Sequence, residues 1–548
     1  MNIFNIDKTQ KLRGGYYTPS DIAYAIIEKI IDTKNLCVLE PSFGDGSFVK
    51  EVIKRKLVLG EDINMIRKSI NGVELDINEY RKLCSQVKEK YKSRFPNLFC
   101  NDFFEWFNKK KCIFDVVVGN PPFIRYQSFP ESARTKALTY SLVEGVKLNK
   151  LTNIWVPFII LSTAILKENG SLGMVVPAEV LQVSYAGPLR KYLLDTFETV
   201  ILFTCNELLF SCAEQETIIL FALNKNRKNK ASNNIEIIES NTKKELISSI
   251  KKYKKKSRIR TINTTYTQEK WTKYFIKKDD IKFIQSLKND NRVVQFKNYF
   301  NVDVGIVTGK NDYFVITKSI AEEYKLYDYV KPIICRTHHI REEIFLDENW
   351  KELWNKGEAV GLLDFNILNK KIPKNVSKYL EYGIINNVDK GYKCSTRKEW
   401  YKVPSIWKPD AFMFRQIHDF PHFVINNADA VSTDTIHRVK QNGNAEFKQV
   451  LFYTYLTAIS AELEGRSYGG GVLELEPSEA EKLLVPNPKY VDFKKINYQV
   501  TRKENGKFLR ENSYYILNNF LKLTNDEIAI LENSYKKLFN RRTSRKRN

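Results

Sequence analysis

Asn120-Pro121-Pro122-Phe123 follows the apolar run Phe114-Asp115-Val116-Val117-Val118-Gly119, which reads as a buried parallel strand ended by a glycine. A polar amide, two prolines and an aromatic at that point predict a rigid loop at the carboxyl edge of a sheet, where open α/β folds place their ligands. The residue types suit an exocyclic amine on a nucleobase. The lone pair of such an amine is delocalised into the ring, so the nitrogen attacks poorly. The side-chain oxygen of Asn120 and the backbone carbonyl of Pro121 could each accept one N–H. That would draw the nitrogen toward tetrahedral geometry and free its lone pair. Phe123 offers a face for stacking. Pro121 and Pro122 fix φ and present carbonyls without competing donors. The competing reading is a proline-terminated strand with a core phenylalanine.

A second group of residues precedes this one. The strand-like run Leu36-Cys37-Val38-Leu39 leads into Glu40-Pro41-Ser42-Phe43-Gly44-Asp45-Gly46-Ser47, a glycine loop joining a strand to a helix. It lacks the full G-x-G-x-x-G pattern of dinucleotide sites. Glu40 and Asp45 would repel a pyrophosphate but not a sulfonium amino acid with its α-ammonium group. Gly44 and Gly46 let backbone approach closely. Glu74 ends a second strand, where an acid can grip two ribose hydroxyls. Asp102, in Asn101-Asp102-Phe103-Phe104, closes a third apolar segment. It could accept from an adenine amino group while Phe103 or Phe104 packs on the ring. Asp76 reads as a helix cap. Singly, each acid reads as an exposed loop carboxylate. In order, each at a strand end, they point to a nucleoside-type cofactor.

The elements that must position these residues alternate along the chain. Helical spacing marks 22–31, 47–57, 79–91 and 155–166; apolar strand-like runs mark 36–39, 72–75, 116–118, 171–177, 200–203 and 217–223. This βαβα rhythm predicts an α/β fold with a mostly parallel, doubly wound sheet. The polar segment 224–234 predicts a boundary, giving a cofactor-binding domain over 1–240 and a second domain over 241–548. The second region is less periodic, with many aromatics and short strands, and ends in helices over about 513–539.

At 548 residues and 43% hydrophobic content, two or three cores are expected. No run of 18 apolar residues and no signal-peptide core is seen, so a cytoplasmic protein without a membrane span is expected. The eight cysteines form no CxxC pair, which favours free thiols. A net charge of +24 points to a polyanionic partner, nucleic acid above all. The excess is concentrated in residues 225–270, with fourteen Lys and Arg against four Glu, and in a basic tail at 541–547 expected to be solvated. Cys335-x-x-His338, the adjacent His339, and His418-x-x-x-His422 have tolerable metal-ligand spacings. The two groups lie far apart in sequence, and no metal is expected.

The order of these pieces resembles the γ-class N6-adenine DNA methyltransferases, the modification enzymes of type II restriction–modification systems. Arg13-Gly14-Gly15-Tyr16-Tyr17-Thr18-Pro19, Glu40 to Gly46, Glu74, Asp102 and Asn120 to Phe123 carry the resemblance. It continues through Asn153-Ile154-Trp155, residues 170–177 and Asn206-Glu207-Leu208-Leu209-Phe210. The resemblance implies a Rossmann-like class I methyltransferase domain followed by a mixed α+β target-recognition domain with C-terminal helices. It implies S-adenosyl-L-methionine as cofactor, without a metal. Tyr17 and Thr18, followed by Pro19, would close over its methionine end, and the Glu40-Pro41-Ser42 loop, Gly44, Gly46, Glu74, Asp102, Phe103 and Asn120 would surround it. Asn120, Pro121, Pro122 and Phe123 would hold a flipped-out adenine, with Phe210 as a second aromatic against the base. Double-stranded DNA is the implied partner, a cognate restriction endonuclease the functional one, and a monomer the expected state. Phe123 stands where many members have tyrosine and keeps the stacking face. Looser echoes in the second region are Val307-Thr308-Gly309-Lys310-Asn311-Asp312 and Arg466-Ser467-Tyr468-Gly469-Gly470-Gly471. N4-cytosine methylation, where serine usually replaces Asn120, stays open. So do RNA or protein-amide methylation and a non-catalytic DNA-binding specificity subunit.

Overall fold

The computed structural model describes residues 17–107, 113–209, 216–226, 234–253, 260–261, 269–368, 371–443, 447–467, 471–496 and 505–544. The chain forms two compact units, one ending at Phe275 and the other comprising Ile276–Ser467 with Gly471–Thr543.

The first unit is built on one nine-stranded sheet. Its strands are β1 (Val38–Glu40), β2 (Ile70–Glu74), β3 (Leu98–Cys100), β4 (Phe114–Gly119), β5 (Leu166–Pro177), β6 (Phe197–Cys205), β7 (Thr217–Lys225), β8 (Asn234–Ser240) and β9 (Arg260–Thr261). They lie in the order β3-β2-β1-β4-β5-β7-β6-β8-β9. β1 pairs in parallel with both β2 (Val38 opposite Ile70) and β4 (Val38 opposite Val116), so the strand order reverses beside it. The β4–β5 pair is also parallel, and β7 inserts antiparallel between β5 and β6. The result is the expected mostly parallel, doubly wound sheet. Its middle strands are buried on both faces, which is why they read as continuous apolar runs rather than alternating ones.

The helices are α1 (Ser20–Ile30), α2 (Ser47–Val58), α3 (Ile63–Ser69), α4 (Ile77–Tyr91), α5 (Phe103–Phe107), α6 (Glu131–Val143), α7 (Trp155–Ala164), α8 (Gly187–Thr196) and α9 (Lys243–Lys252). α1 buries Ile22, Ile26 and Ile30 at helical spacing, and α2 buries Phe48, Val49, Val52 and Ile53. All ten residues of α7 are buried. Asp76 caps α4 by accepting from the amides of Asn78 (2.8 Å) and Glu79 (3.2 Å), as its sequence position suggested.

Three basic residues of this unit are buried rather than offered to a polyanion. Lys225 ends β7 at 2% exposure, and its Nζ donates to the carbonyls of Thr163, Ala164 and Leu166, capping the end of α7. Arg190 donates to Val180, Val183 and Glu269 carbonyls, and burial pulls it down to about 10. Lys56 pairs with Glu61 at 3.1 Å.

The second unit carries a five-stranded sheet in the order Phe300–Asp303, Ile436–Gln441, Ala411–Phe414, Phe423–Asn426, Ile344–Phe345, with smaller sheets around it. Its chain ends in the helices Asn505–Asn519 and Asn525–Thr543. Arg542, assigned from sequence to a solvated tail, is buried here instead: its Nε donates to Glu462 at 2.8 Å and its Nη1 to the carbonyl of His418 at 2.7 Å. This unit is the mixed α+β part of the fold. Among the described residues, no helix is long and apolar enough to cross a membrane.

Candidate active site

The loops that follow β1, β2, β3 and β4 all leave the carboxyl edge of the sheet beside the strand-order reversal, the edge at which open α/β sheets bind ligands. The first of these, Glu40 to Gly46, turns sharply into α2. Gly44 and Gly46 have φ of 50° and 76°, a conformation that side chains resist. Space excludes a side chain as well. A Cβ on Gly46 would lie 2.3 Å from Leu83 Cδ1, and one on Gly44 2.9 Å from Tyr17 Cε1. The glycines therefore admit neighbouring protein groups as well as any ligand.

Glu74 ties this loop to the next. Its Oε2 accepts from the amide of Gly44 at 2.7 Å and its Oε1 from the amide of Asp76 at 2.8 Å. Each carboxylate oxygen keeps a further lone pair, so the brace is compatible with accepting ribose hydroxyls. Glu40 is 4% exposed and accepts from the amide of Val49 in the first turn of α2 at 3.0 Å. Burial, reinforced by the charge of Asp45, pushes its carboxyl well above the usual carboxylate range, and the Val49 bond and Lys50 oppose this. Burial raises Glu74 too, against its hydrogen bonds from Asp76 and Gly44. Asp45 is spent on the local turn, accepting from Ser47 Oγ at 2.7 Å. Among the described residues, this sheet edge thus holds carboxylates short of positive charge, which suits a ligand that brings its own.

Tyr17 and Thr18 lie over this edge. The Tyr17 hydroxyl donates to Glu79 Oε1 at 2.9 Å, and burial with the Glu79 carboxylate raises the phenol far above its ordinary range. The Thr18 side chain is 4% exposed, and its hydroxyl has no hydrogen-bond partner among the described residues, a polar group that a bound molecule would satisfy. Pro19 precedes the first residue of α1. Asp102 Oδ1 caps α5 by accepting from the amides of Phe104 (2.7 Å) and Glu105 (3.3 Å), leaving Oδ2 outside that cap. Phe103 is 3% exposed, and its ring stacks on Phe158 at 4.8 Å, so much of it belongs to the core.

Asn120 to Phe123 follow β4 directly. Pro121 is buried; Asn120, Pro122 and Phe123 are half-buried. Pro41 and Ser42 adjoin this loop: the Ser42 hydroxyl donates to the carbonyl of Asn120 at 3.2 Å. That bond brings the β1 loop and the β4 loop into one site, as adjacent parallel strands dictate. Phe210, with Arg13 to Tyr16, lies outside the described residues.

Two contributions had no role assigned from the sequence, although Asn153 was among the residues that carry the resemblance. Glu79 holds the Tyr17 hydroxyl, and its only sequence signal is its place in the first turn of α4, beside the Asp76 cap. Asn153 holds the backbone beyond Phe123, accepting from the amide of Tyr126 at 3.1 Å. The histidines considered as metal ligands have other surroundings. His422 Nε2 lies 3.3 Å from Asp419 and its ring stacks on Phe420, while His339 is buried and held down to about 4, chiefly by desolvation. Among the described residues, no group of three or more His, Cys, Asp or Glu side chains is placed to hold a metal ion.

Known proteins resemble this chain in sequence. A family model described as N-6 DNA Methylase matches residues 3–303, and one for the C-terminal domain of the type II methyltransferase M.Eco57I matches residues 268–528. The chain belongs to the N-6 DNA methylase family and is a DNA methyltransferase. It is 26% identical over 519 residues to the type II methyltransferase M.AccI of Acinetobacter calcoaceticus, a match covering 92% of this chain and 90% of that one. It is 28% identical over 241 residues to M.HincII of Haemophilus influenzae, covering 43% of this chain and 42% of that protein. Among solved structures, the type IIG restriction endonuclease BpuSI aligns at 13% identity with a TM-score of 0.42, covering 97% of this chain and 66% of that one. The motif resemblance to the modification enzymes of restriction–modification systems thus holds at the level of family.

Proposed function

We propose that the protein transfers a methyl group from S-adenosyl-L-methionine to N6 of an adenine flipped out of duplex DNA, as the modification enzyme of a restriction–modification system. The observation that carries this reading is the Ser42–Asn120 bond, which joins an acid-lined glycine loop to an Asn-Pro-Pro-Phe loop at one sheet edge. Cofactor and base loops must adjoin for a direct transfer.

The cofactor, when bound, supplies an electrophilic methyl group on a positively charged sulfur. Glu74 would accept from its ribose hydroxyls, Asp102 from its adenine amine, and Thr18 would pair its hydroxyl with the methionine end under Tyr17. Asn120 Oδ1 and the Pro121 carbonyl would accept the two N–H groups of the target amine. They gain strength as positive charge develops on that nitrogen, which stabilises the transition state more than the ground state. Phe123 would stack on the base, with Phe210 opposite. A base inside the helix cannot present N6 in line with the methyl group, so it must leave the stack. The first unit carries this chemistry, and the second unit grips the duplex and reads base edges.

Asn120→Ala tests the amine clamp. Single-turnover methylation should fall by at least ~10²-fold, by analogy with removal of one preorganised hydrogen-bond partner, while cofactor affinity stays near that of the wild type. Near-normal turnover would sink the assignment. Sequencing that detects methylated bases in DNA from expressing cells distinguishes N6-methyladenine from N4-methylcytosine and reveals the recognition sequence.

A further inference from the structure

Beyond the loop that grips the amine, the chain is held by a side-chain network that the methyl transfer does not directly use. Tyr126 N–H donates to Asn153 Oδ1 at 3.1 Å. Asn153 Nδ2 donates to the Tyr185 hydroxyl at 2.7 Å and faces Glu179 Oε2 at 3.3 Å. The Tyr185 hydroxyl in turn donates to the same Glu179 oxygen. Next along the chain, the amide of Ile154 donates to the carbonyl of Ile124 at 3.2 Å. Asn153 and Ile154 therefore grip both sides of Arg125. The three side chains and the Tyr126 amide come from three places: the stretch after β4, the residue before the N-cap of α7, and the turn that follows β5.

We infer that Asn153 is a positioning residue for the methyl transfer, with its amide oriented by Glu179 and Tyr185 so that its oxygen fixes the backbone a few residues beyond the amine clamp. The inference rests on the assignment of Asn120 and Pro121 to the target amine. An amide can sit either way round. Reversed, Asn153 would turn its oxygen toward the Glu179 carboxylate and its NH2 toward the Tyr126 N–H, two repulsive contacts in place of two attractive ones. The carboxylate thus selects the orientation. The intervening Pro121-Pro122 pair has fixed φ and absorbs little motion. A shift at Ile124–Tyr126 is passed back to Asn120 and Phe123 instead of dissipating. Misplacement of a reacting group by about 1 Å can cost 10²-fold in rate.

The test uses the full-length protein in excess over unmethylated high-molecular-weight DNA, with tritium-labelled S-adenosylmethionine. Asn153→Ala should slow single-turnover transfer by roughly 10- to 100-fold while the cofactor dissociation constant, measured by calorimetry, moves less than about twofold. Asn153→Asp keeps the acceptor for Tyr126 but sets a second carboxylate against Glu179. Its rate should recover as pH falls and one of the pair takes a proton, which Asn153→Ala cannot do. Combining Asn153→Asp with Glu179→Gln restores a complementary pair and should recover most of the rate at neutral pH.

A wild-type rate for Asn153→Ala would overturn the inference. So would an Asn153→Asp enzyme that neither recovers at low pH nor responds to Glu179→Gln, because a brace of generic packing would show no charge dependence. If Asn153→Ala fails to fold, that rescue pair still decides. Asn120→Ala, measured beside these variants, separates the two claims. A fully active Asn120→Ala removes the amine-clamp reading itself, whereas a slow Asn120→Ala with a fast Asn153→Ala removes only the positioning role.

Discussion

Glu40 is a buried carboxylate whose neighbours include Asp45, Glu74 and the ammonium of Lys50. Its carboxyl sits well above its ordinary value of 4.5, so at mildly acid pH the free protein holds a proton there that the unfolded chain would release. A positively charged ligand favours the carboxylate form. Binding of S-adenosylmethionine should therefore expel protons, and affinity should climb with pH until Glu40 is ionised in the free protein. Calorimetry at mildly acid pH in two buffers of different ionisation enthalpy reads the proton count directly. Glu40→Gln should reduce it, and binding without proton release would argue against a cation beside this group. Glu40 and Glu74 stood out in the sequence because each ends a strand, and Asn120 because it follows one. Their second duties were not. That Glu74 holds the Gly44 amide follows from the closeness of two loops 30 residues apart, which no local pattern encodes.

At the scale of elements, the turn from β1 into α2 is the least tolerant joint. Gly46 has φ of 76°, and a Cβ there would lie 2.3 Å from Leu83 on α4. Gly46→Ala should destabilise the fold by about 1–2 kcal/mol from the left-handed backbone alone, with the collision adding to it. Urea unfolding of Gly46→Ala, Leu83→Ala and the double variant checks this. The double variant should lose less than the sum of the singles, because Leu83→Ala removes the clash. Strict additivity would show that α4 yields without effort. Elements with long apolar runs or clear helical spacing were foreseen: β1, β2, β4, the latter part of β5, β6 and β7, with α1, α2, α4 and α7. α6 was not, because only Ala137 and Ser141 along it are buried and its sequence shows little amphipathic pattern. The strands of the second unit span two to six residues, too few for a period of two to emerge.

For the whole molecule, the count of 88 Lys and Arg overstates how many can face a polyanion. Lys56, Arg190, Lys225 and Arg542 are each buried and engaged inside the protein. Sequence composition counts such residues and cannot locate them. The first unit has its own core, in which α1, α2 and the central strands share one apolar cluster. A fragment of residues 1–275 should accordingly retain S-adenosylmethionine binding and lose sequence-specific duplex affinity, which titration calorimetry and a competition binding assay can measure separately. Specific duplex binding by the fragment would place recognition in the wrong unit.

If the two loops bind cofactor and base as proposed, the Ser42 hydroxyl on the Asn120 carbonyl, 3.2 Å apart, links them into one thermodynamic system. Whatever factor links them is reciprocal: if cofactor tightens the grip on duplex, duplex tightens the grip on cofactor by the same factor. One neutral hydrogen bond contributes about 0.5–1.5 kcal/mol, so Ser42→Ala should reduce that shared factor by roughly two- to tenfold, and equally from both sides. Four dissociation constants, each ligand alone and in the presence of the other, close the cycle. A product that keeps the adenosine but has lost the methyl group would still speak through the same hydroxyl. The enzyme would then hold modified DNA until the spent cofactor leaves, and Ser42 would set the pace at which one site is exchanged for the next.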